Sequence, residues 1–203
     1  MAVGTLATMP LLSSSLEVLQ AAMPMIGASP PDSMDAQTPE AIAARAYYEI
    51  MVGKNLNRHA WSWATKSAAL TYVGETGEIP PYEYALPADV LTPRRIEIQG
   101  VLFRDWELRE GKVLTNLYDS DQLILIYNWR TPEANWDVHF VDAIIHELAG
   151  YLAMGLLDRP DQGMELKKQA EALIRRAIRM DKRSSPAINV DPDPVLVQAW
   201  RGA

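Results

Sequence analysis

The hydrophobic period of this chain changes twice, and that double switch limits the folds open to it. Apolar residues recur at helical spacing up to about Asn57, alternate in short runs from His59 to about Arg130, and return to helical spacing after Asn135. A stretch of helical period cannot keep one face of a pleated sheet buried, and the reverse holds too. The order therefore reads helix, helix, strands, helix, helix. The fold class expected is α+β, mainly α: a bundle of about four helices (residues 14–58 and 136–181) with a small antiparallel sheet inserted between its halves (59–135). An extended C-terminal tail (182–203) completes a single domain of residues 1–203.

Local signals place the elements. Ser14 or Ser15 is suited to cap a first helix through Leu16, Val18, Leu19 and Ala22, which Pro24 and Gly27 bend or end. Thr38 followed by Pro39 marks a second start, since proline at the first helical position sacrifices no needed amide donor. In this helix Ala43, Tyr47, Ile50 and Met51 fall at i, i+4, i+7 and i+8 and are expected to form the buried stripe, with Gly53 or Asn57 ending it. Strands are expected over Ser67–Val73, Tyr82–Leu86, Arg95–Gln99, Trp106–Arg109, Lys112–Thr115 and Leu123–Tyr127, with Glu110-Gly111 as a tight turn. Val138, Val141, Ile144, Ile145, Leu148, Tyr151, Leu152 and Leu156 mark a long helix after Asn135. A last amphipathic helix is expected from about Asp161 to Asp181.

The bulk composition narrows the functional classes. With 48% apolar and 22% charged residues the chain has an ordinary globular balance. A formal net charge of −7 argues against a broad basic face gripping phosphate, which needs clustered Lys and Arg. No cysteine is present, so disulfides, thiolate nucleophiles and cysteine zinc sites are excluded. The first basic residue is Arg45, so the charged start of a secretory signal is missing. No apolar run reaches the roughly 18 residues of a membrane span, and no membrane association is expected.

The C-terminal stretch has Pro186, Pro192 and Pro194 among Ser, Asn and Asp, yet ends on the apolar run Val195, Leu196, Val197 and Trp200. A tryptophan near an extended terminus suggests that a partner supplies its missing surface.

Four stretches together resemble one family. His59-Ala60-Trp61-Ser62-Trp63-Ala64-Thr65-Lys66-Ser67-Ala68 is similar to the His-Pro-Trp-Asn-Phe-Ala-Thr-Lys-Arg-Ala element of phage tail tubular protein A, the head-to-tail adaptor of short-tailed phages. Tyr84-Ala85-Leu86-Pro87-Ala88-Asp89 resembles its Tyr-x-Leu-Pro-x-Asp segment. Trp136-Asp137-Val138-His139-Phe140-Val141-Asp142-Ala143 resembles the Trp-Asp-x-x-Phe-x-x-Ala opening of its third helix, which Leu148 to Ala153 continues. Ala60 stands where the family has Pro, and Ser62 and Trp63 replace Asn and Phe. An adaptor of a long-tailed phage or gene transfer agent thus stays open.

The resemblance, which spans about Leu16 to Asp181, implies a structural protein of the virion and no enzyme. It implies a ring of about twelve copies at the head-tail junction, put together in the bacterial host cytoplasm. The ring would sit between the portal protein and a tail nozzle or tail-tube (stopper) protein. The C-terminal tail would reach the portal, and DNA would pass through the channel without specific binding. His59, Trp61, Trp63, Lys66, Trp136, Asp137 and Phe140 are the residues matching its motifs. A ring subunit should carry more apolar helix surface than its own core uses, which is expected here of the first and third helices.

Enzymatic alternatives are weaker in the residues. His146-Glu147 opens a His-Glu-x-x-His zinc motif, but position 150 is Gly150. The line His139, Asp142 and His146 could make a metal-dependent hydrolase; it reads more simply as the polar stripe of a buried helix, and no metal or cofactor is expected. Asp119 and Asp121 suit a turn better than a paired-carboxylate site. Trp61, Trp63 and Tyr72 read as core before they read as a sugar or base platform. The cationic face of the last helix could touch DNA, although a solvated surface is the plainer reading.

Overall fold

A computed structural model describes residues 12–118 and 122–184, which form four α-helices, three 3-10 turns and eight strands in two antiparallel sheets. The fold is mixed α and β as expected, but two four-stranded sheets stand where one small sheet was anticipated. The chain divides into two compact units. One joins residues 12–59 with Thr131–Ser184, and the other is built on the described residues of Ala60–Arg130. The tail residues Val195, Leu196, Val197 and Trp200, and the pair Asp119 and Asp121, lie outside the described residues. Lys182 to Ser184, expected to open the tail, instead continue the last helix.

In the helical unit, α1 (Ser15–Ala22) is capped by Ser14, whose hydroxyl accepts the Glu17 amide at 3.3 Å. A 3-10 turn over Met23–Ile26 follows and ends on Gly27, whose φ of 72° is one that side chains resist. Helix α2 (Pro39–Asn57) begins at the Thr38 cap, with Pro39 as its first residue. Helix α3 (Val138–Gly155) is capped by Asp137, and α4 (Pro160–Ser184) starts on Pro160. Helix α3 lies against each of the other three. Gly150 of α3 and Gly163 of α4 face one another so closely that a β-carbon on Gly163 would stand 2.7 Å from the Gly150 carbonyl oxygen.

The phase of α2 differs in part from the expected one. Met51 is buried as expected and Ala43 half-buried, but Tyr47 and Ile50 are 37% and 76% exposed, and the buried residues are Ala41, Ala44, Tyr48, Met51, Val52, Asn55 and Leu56. Both series have helical spacing, so periodicity alone could not say which one turns inward. The buried one also carries polar groups. Asn55 is fully buried because its amide donates to the Met51 carbonyl at 3.0 Å and to Glu147 Oε2 at 2.6 Å. Glu147, 7% exposed, also pairs with Lys54.

In the strand unit the chain passes between the two sheets four times, twice at sharp corners of one or two residues. Residues expected as one strand, Ser67–Val73, divide at Leu70 into β1 (Thr65–Ala69) and β2 (Thr71–Glu75), which belong to different sheets. The second corner lies between β5 (Val101–Phe103) and β6 (Trp106–Arg109). Strands β3 (Tyr82–Ala85), β4 (Val90–Ile98), β7 (Lys112–Thr115) and β8 (Leu123–Trp129) complete the orders β1-β8-β4-β5 and β2-β3-β7-β6. Such corners let two sheets share one interior. Leu70, Tyr84, Ile96, Ile98, Val113, Leu123, Leu125 and Tyr127, drawn from both sheets and the first corner, form a single buried cluster.

Turn chemistry sets the hairpins. Glu110 and Gly111 both have positive φ, 50° and 74°, the geometry of the two-residue turn expected between β6 and β7. Gln99-Gly100, with φ of 50° and 81°, makes the same turn between β4 and β5, a hairpin the sequence reading missed. Strand β4 begins five residues before the expected Arg95 and runs through Pro93, where the register slips. Proline is tolerated because β5 covers only Ile96–Ile98, leaving β4 paired on one side at Pro93.

Candidate functional site

The residues that match the adaptor motifs do not converge on a cleft. They fasten the ends of elements. Asp137 caps α3, its Oδ1 accepting the His139 amide at 2.8 Å. Just before it, the Trp136 indole donates to the Thr131 carbonyl at 3.0 Å while its ring stands edge-on to Phe140, centroids 5.2 Å apart. Phe140 is fully buried, so Trp136-Asp137-x-x-Phe140 sets where and at what angle the helix begins. His59, just past α2, places Nε2 3.0 Å from Asp181 Oδ2 near the end of α4.

In the strand unit the same motif turns the chain into β1. Trp61 is fully buried, with the Trp63 ring 5.5 Å away, and the Thr65 hydroxyl donates to the Trp61 carbonyl at 2.6 Å. Lys66 reaches Asp89 Oδ2 at 2.6 Å, and its ammonium stands 3.4 Å from the centroid of the Trp129 ring. The Tyr127 hydroxyl donates to the other Asp89 oxygen at 2.8 Å. Asp89 is held below the usual carboxylate range, first by the Lys66 contact and then by Tyr127. Burial, then the adjacent carboxylate, push the Tyr127 phenol up to about 12. The arrangement pins the stretch before β4 to β1 and β8. Two of the family-like segments, the one ending at Lys66 and the one ending at Asp89, thus meet in a single ion pair.

The line His139, Asp142 and His146 lies on α3. His146 Nδ1 is 2.8 Å from the Asp142 carbonyl and 3.2 Å from Asp142 Oδ1, while His139 and Asp142, with Val138, Val141 and Ile145, line a shallow depression of about 290 Å³. Among the described residues no three His, Asp or Glu side chains are grouped to hold a metal ion. No helix among them is long and apolar enough to cross a membrane.

The surface that stands out is the outer side of α2. Ile42, Ala46 and Ile50, at i, i+4 and i+8, are exposed along two turns, Ile42 at 48% and Ile50 at 76%. Beside them Tyr47 stacks on Tyr151 of α3, with ring centroids 5.0 Å apart. The surplus was expected on the first and third helices. Instead Val18, Leu19 and Ala22 of α1 are fully buried, and most of α3 is enclosed by its neighbours. Fully burying an isoleucine is worth about 1.5–3 kcal/mol, so Ile42 and Ile50 would both gain from a partner. Ile50 was expected inside together with Met51; Met51 is buried, and Ile50 faces out.

No known family model matches the chain, and no curated protein matches it either.

Proposed function

We propose that the chain is a structural subunit of a head-to-tail adaptor ring in a tailed bacteriophage. It docks on the portal protein, connects it to the tail and surrounds a channel for DNA. In this reading the helical unit, with α3 at the centre of a four-helix bundle, forms the ring wall, and residues 185–203 carry the portal contact. The observation that carries it is the apolar outer side of α2. A helix with its own core already filled on one side and Ile42, Ala46 and Ile50 exposed on the other is suited to packing against a second protein. The use of the family-like residues as caps, staples and clamps supports the same reading, since a ring wall needs rigid element ends more than it needs a reactive cleft.

The test is electron microscopy of the full chain mixed with its portal protein. Rings seated on the portal are expected, and deletion of residues 186–203 should remove them while leaving the chain folded. A portal that stays bare with the full chain sinks the proposal. The α2 face is tested by the double variant Ile42→Asp, Ile50→Asp. Its effect on folding should be small, within about 1 kcal/mol for two exposed positions, whereas assembly on the portal should fail. Unaltered rings would remove this face from the interface.

A further inference from the structure

Helix α4 buries Gly163, Leu166, Ala170, Ile174 and Ala177. On the opposite pole, at the α-helical rotation per residue, Lys168, Arg175, Arg176, Arg179, Lys182 and Arg183 fall within an arc of roughly 120°, over a rise of about 22 Å. All six are exposed. The acidic residues that follow Lys168 in the helix, Glu171 and Asp181, are both engaged from the end of α2. Arg58 forks onto Glu171 at 2.6 and 2.7 Å, and His59 meets Asp181. Arg175 also leans on Glu171, at 3.3 Å. Among the described residues Lys168, Arg176, Arg179, Lys182 and Arg183 have no ion-pair partner.

We propose that this pole of α4 binds the phosphate backbone of duplex DNA without regard to sequence. Like charges a turn apart repel one another, and a helix surface made only for solubility mixes signs to avoid this. In a chain of net charge −7, a row over Lys168–Arg183 whose flanking acid Glu171 is held by Arg58, with Asp161 and Glu165 confined to the first turns of α4, is a local exception that an anionic partner would relieve. Residues one turn apart on a helix stand about 5–6 Å from each other, a spacing that lets successive cations meet successive phosphates of a strand. A lipid surface fits less well, because the apolar side of α4 is already buried and leaves nothing to insert. The proposal goes beyond the ring reading and does not rest on it, since the isolated chain should bind as well.

Fluorescence anisotropy of a labelled duplex of about 30 bp tests it, with the full chain titrated between 50 and 200 mM salt. Micromolar binding is expected at the lower salt, with a log–log salt slope of about −4 to −5 if five or so phosphates are neutralised. A duplex of unrelated sequence should give the same curve. The triple variant Arg176→Glu, Arg179→Glu, Arg183→Glu should bind at least tenfold more weakly, and the triple Lys variant should keep most of the affinity. If the reversed variant melts early, the triple Gln variant carries the same expectation of weakened binding. Any of four results overturns the proposal: no saturable binding at 50 mM salt, a slope near zero, reversed and wild-type chains that bind alike, or charge reversal that changes self-association without DNA. So does binding to vesicles of about three parts phosphatidylcholine to one of phosphatidylserine in place of duplex.

Discussion

Replacing Gly163 with alanine is expected to destabilise the protein by about 2–3 kcal/mol, opposite in sign to what helix propensity alone assigns. In an exposed helix interior the exchange gains about 1 kcal/mol, because glycine loses more backbone freedom on folding. Here the new β-carbon would stand 2.7 Å from the carbonyl oxygen of Gly150 and 2.2 Å from Met154 Cγ. Met154 can swing aside, whereas the carbonyl belongs to the backbone of α3 and moves only if the two helices separate. Gly150→Ala meets the same obstacle, 2.9 Å from the Gly163 carbonyl and 2.6 Å from Lys167 Cγ. Urea unfolding followed by far-ultraviolet circular dichroism measures both. A Gly163→Ala chain as stable as the wild type would show that α3 and α4 do not approach as closely as the structure has them. Gly53, with nothing within 4 Å of its would-be β-carbon, is the control, and Gly53→Ala should be neutral or stabilising.

The second large effect is expected at Phe140. It has no exposed surface and stands edge-on against Trp136, so Phe140→Ala should cost about 3–5 kcal/mol through lost burial and the cavity left behind. Val138, two residues earlier and 45% exposed, provides the comparison, with Val138→Ala within about 0.5 kcal/mol. The pair separates two meanings of the family-like motif. A loss at Phe140 makes that motif a folding element at the start of α3, while a loss below 1 kcal/mol would mean that its environment is looser than the structure has it.

A smaller effect depends on pH. The Arg58 guanidinium holds Glu171 below the usual carboxylate range, chiefly by its hydrogen bonds. A carboxylate whose folded pKa is depressed contributes stability above its unfolded value, near 4.5, and loses it as pH falls through the lower folded value. Stability should therefore fall below about pH 4.5, and Arg58→Ala should flatten that part of the profile. A variant with an unchanged acid limb would show that the pair contributes nothing in solution. Glu171 is more than a third exposed, so solvent keeps the effect small.

Much of the fold was legible because its signals are local. A cap such as Ser14 or Thr38 acts on amides two or three residues away, and Glu110-Gly111 forms its turn with little outside help. The strands most clearly bounded by turns, β6 and β7, have the expected limits. The division of residues 65–75 at Leu70 was not legible. An uninterrupted β-rich run looks the same whether it stays in one sheet or bends into a second. The candidate site was legible only in part. The motif residues could be named from resemblance, but not that Lys66 and Asp89 would meet, a contact between elements more than twenty residues apart in the chain.

The succession of helical and strand regions, the caps at Ser14 and Thr38 and the tight turn at Glu110-Gly111 were readable from the residues alone, because these depend on neighbours within a turn or two. Which apolar side of α2 lies inside, and that Glu171 and Asp181 of α4 are met by Arg58 and His59, came from tertiary packing. Both depend on what a distant segment presents. A helix with two apolar sides turns inward whichever one its neighbours can pack, and a charge row is uncompensated only once its partners have gone elsewhere.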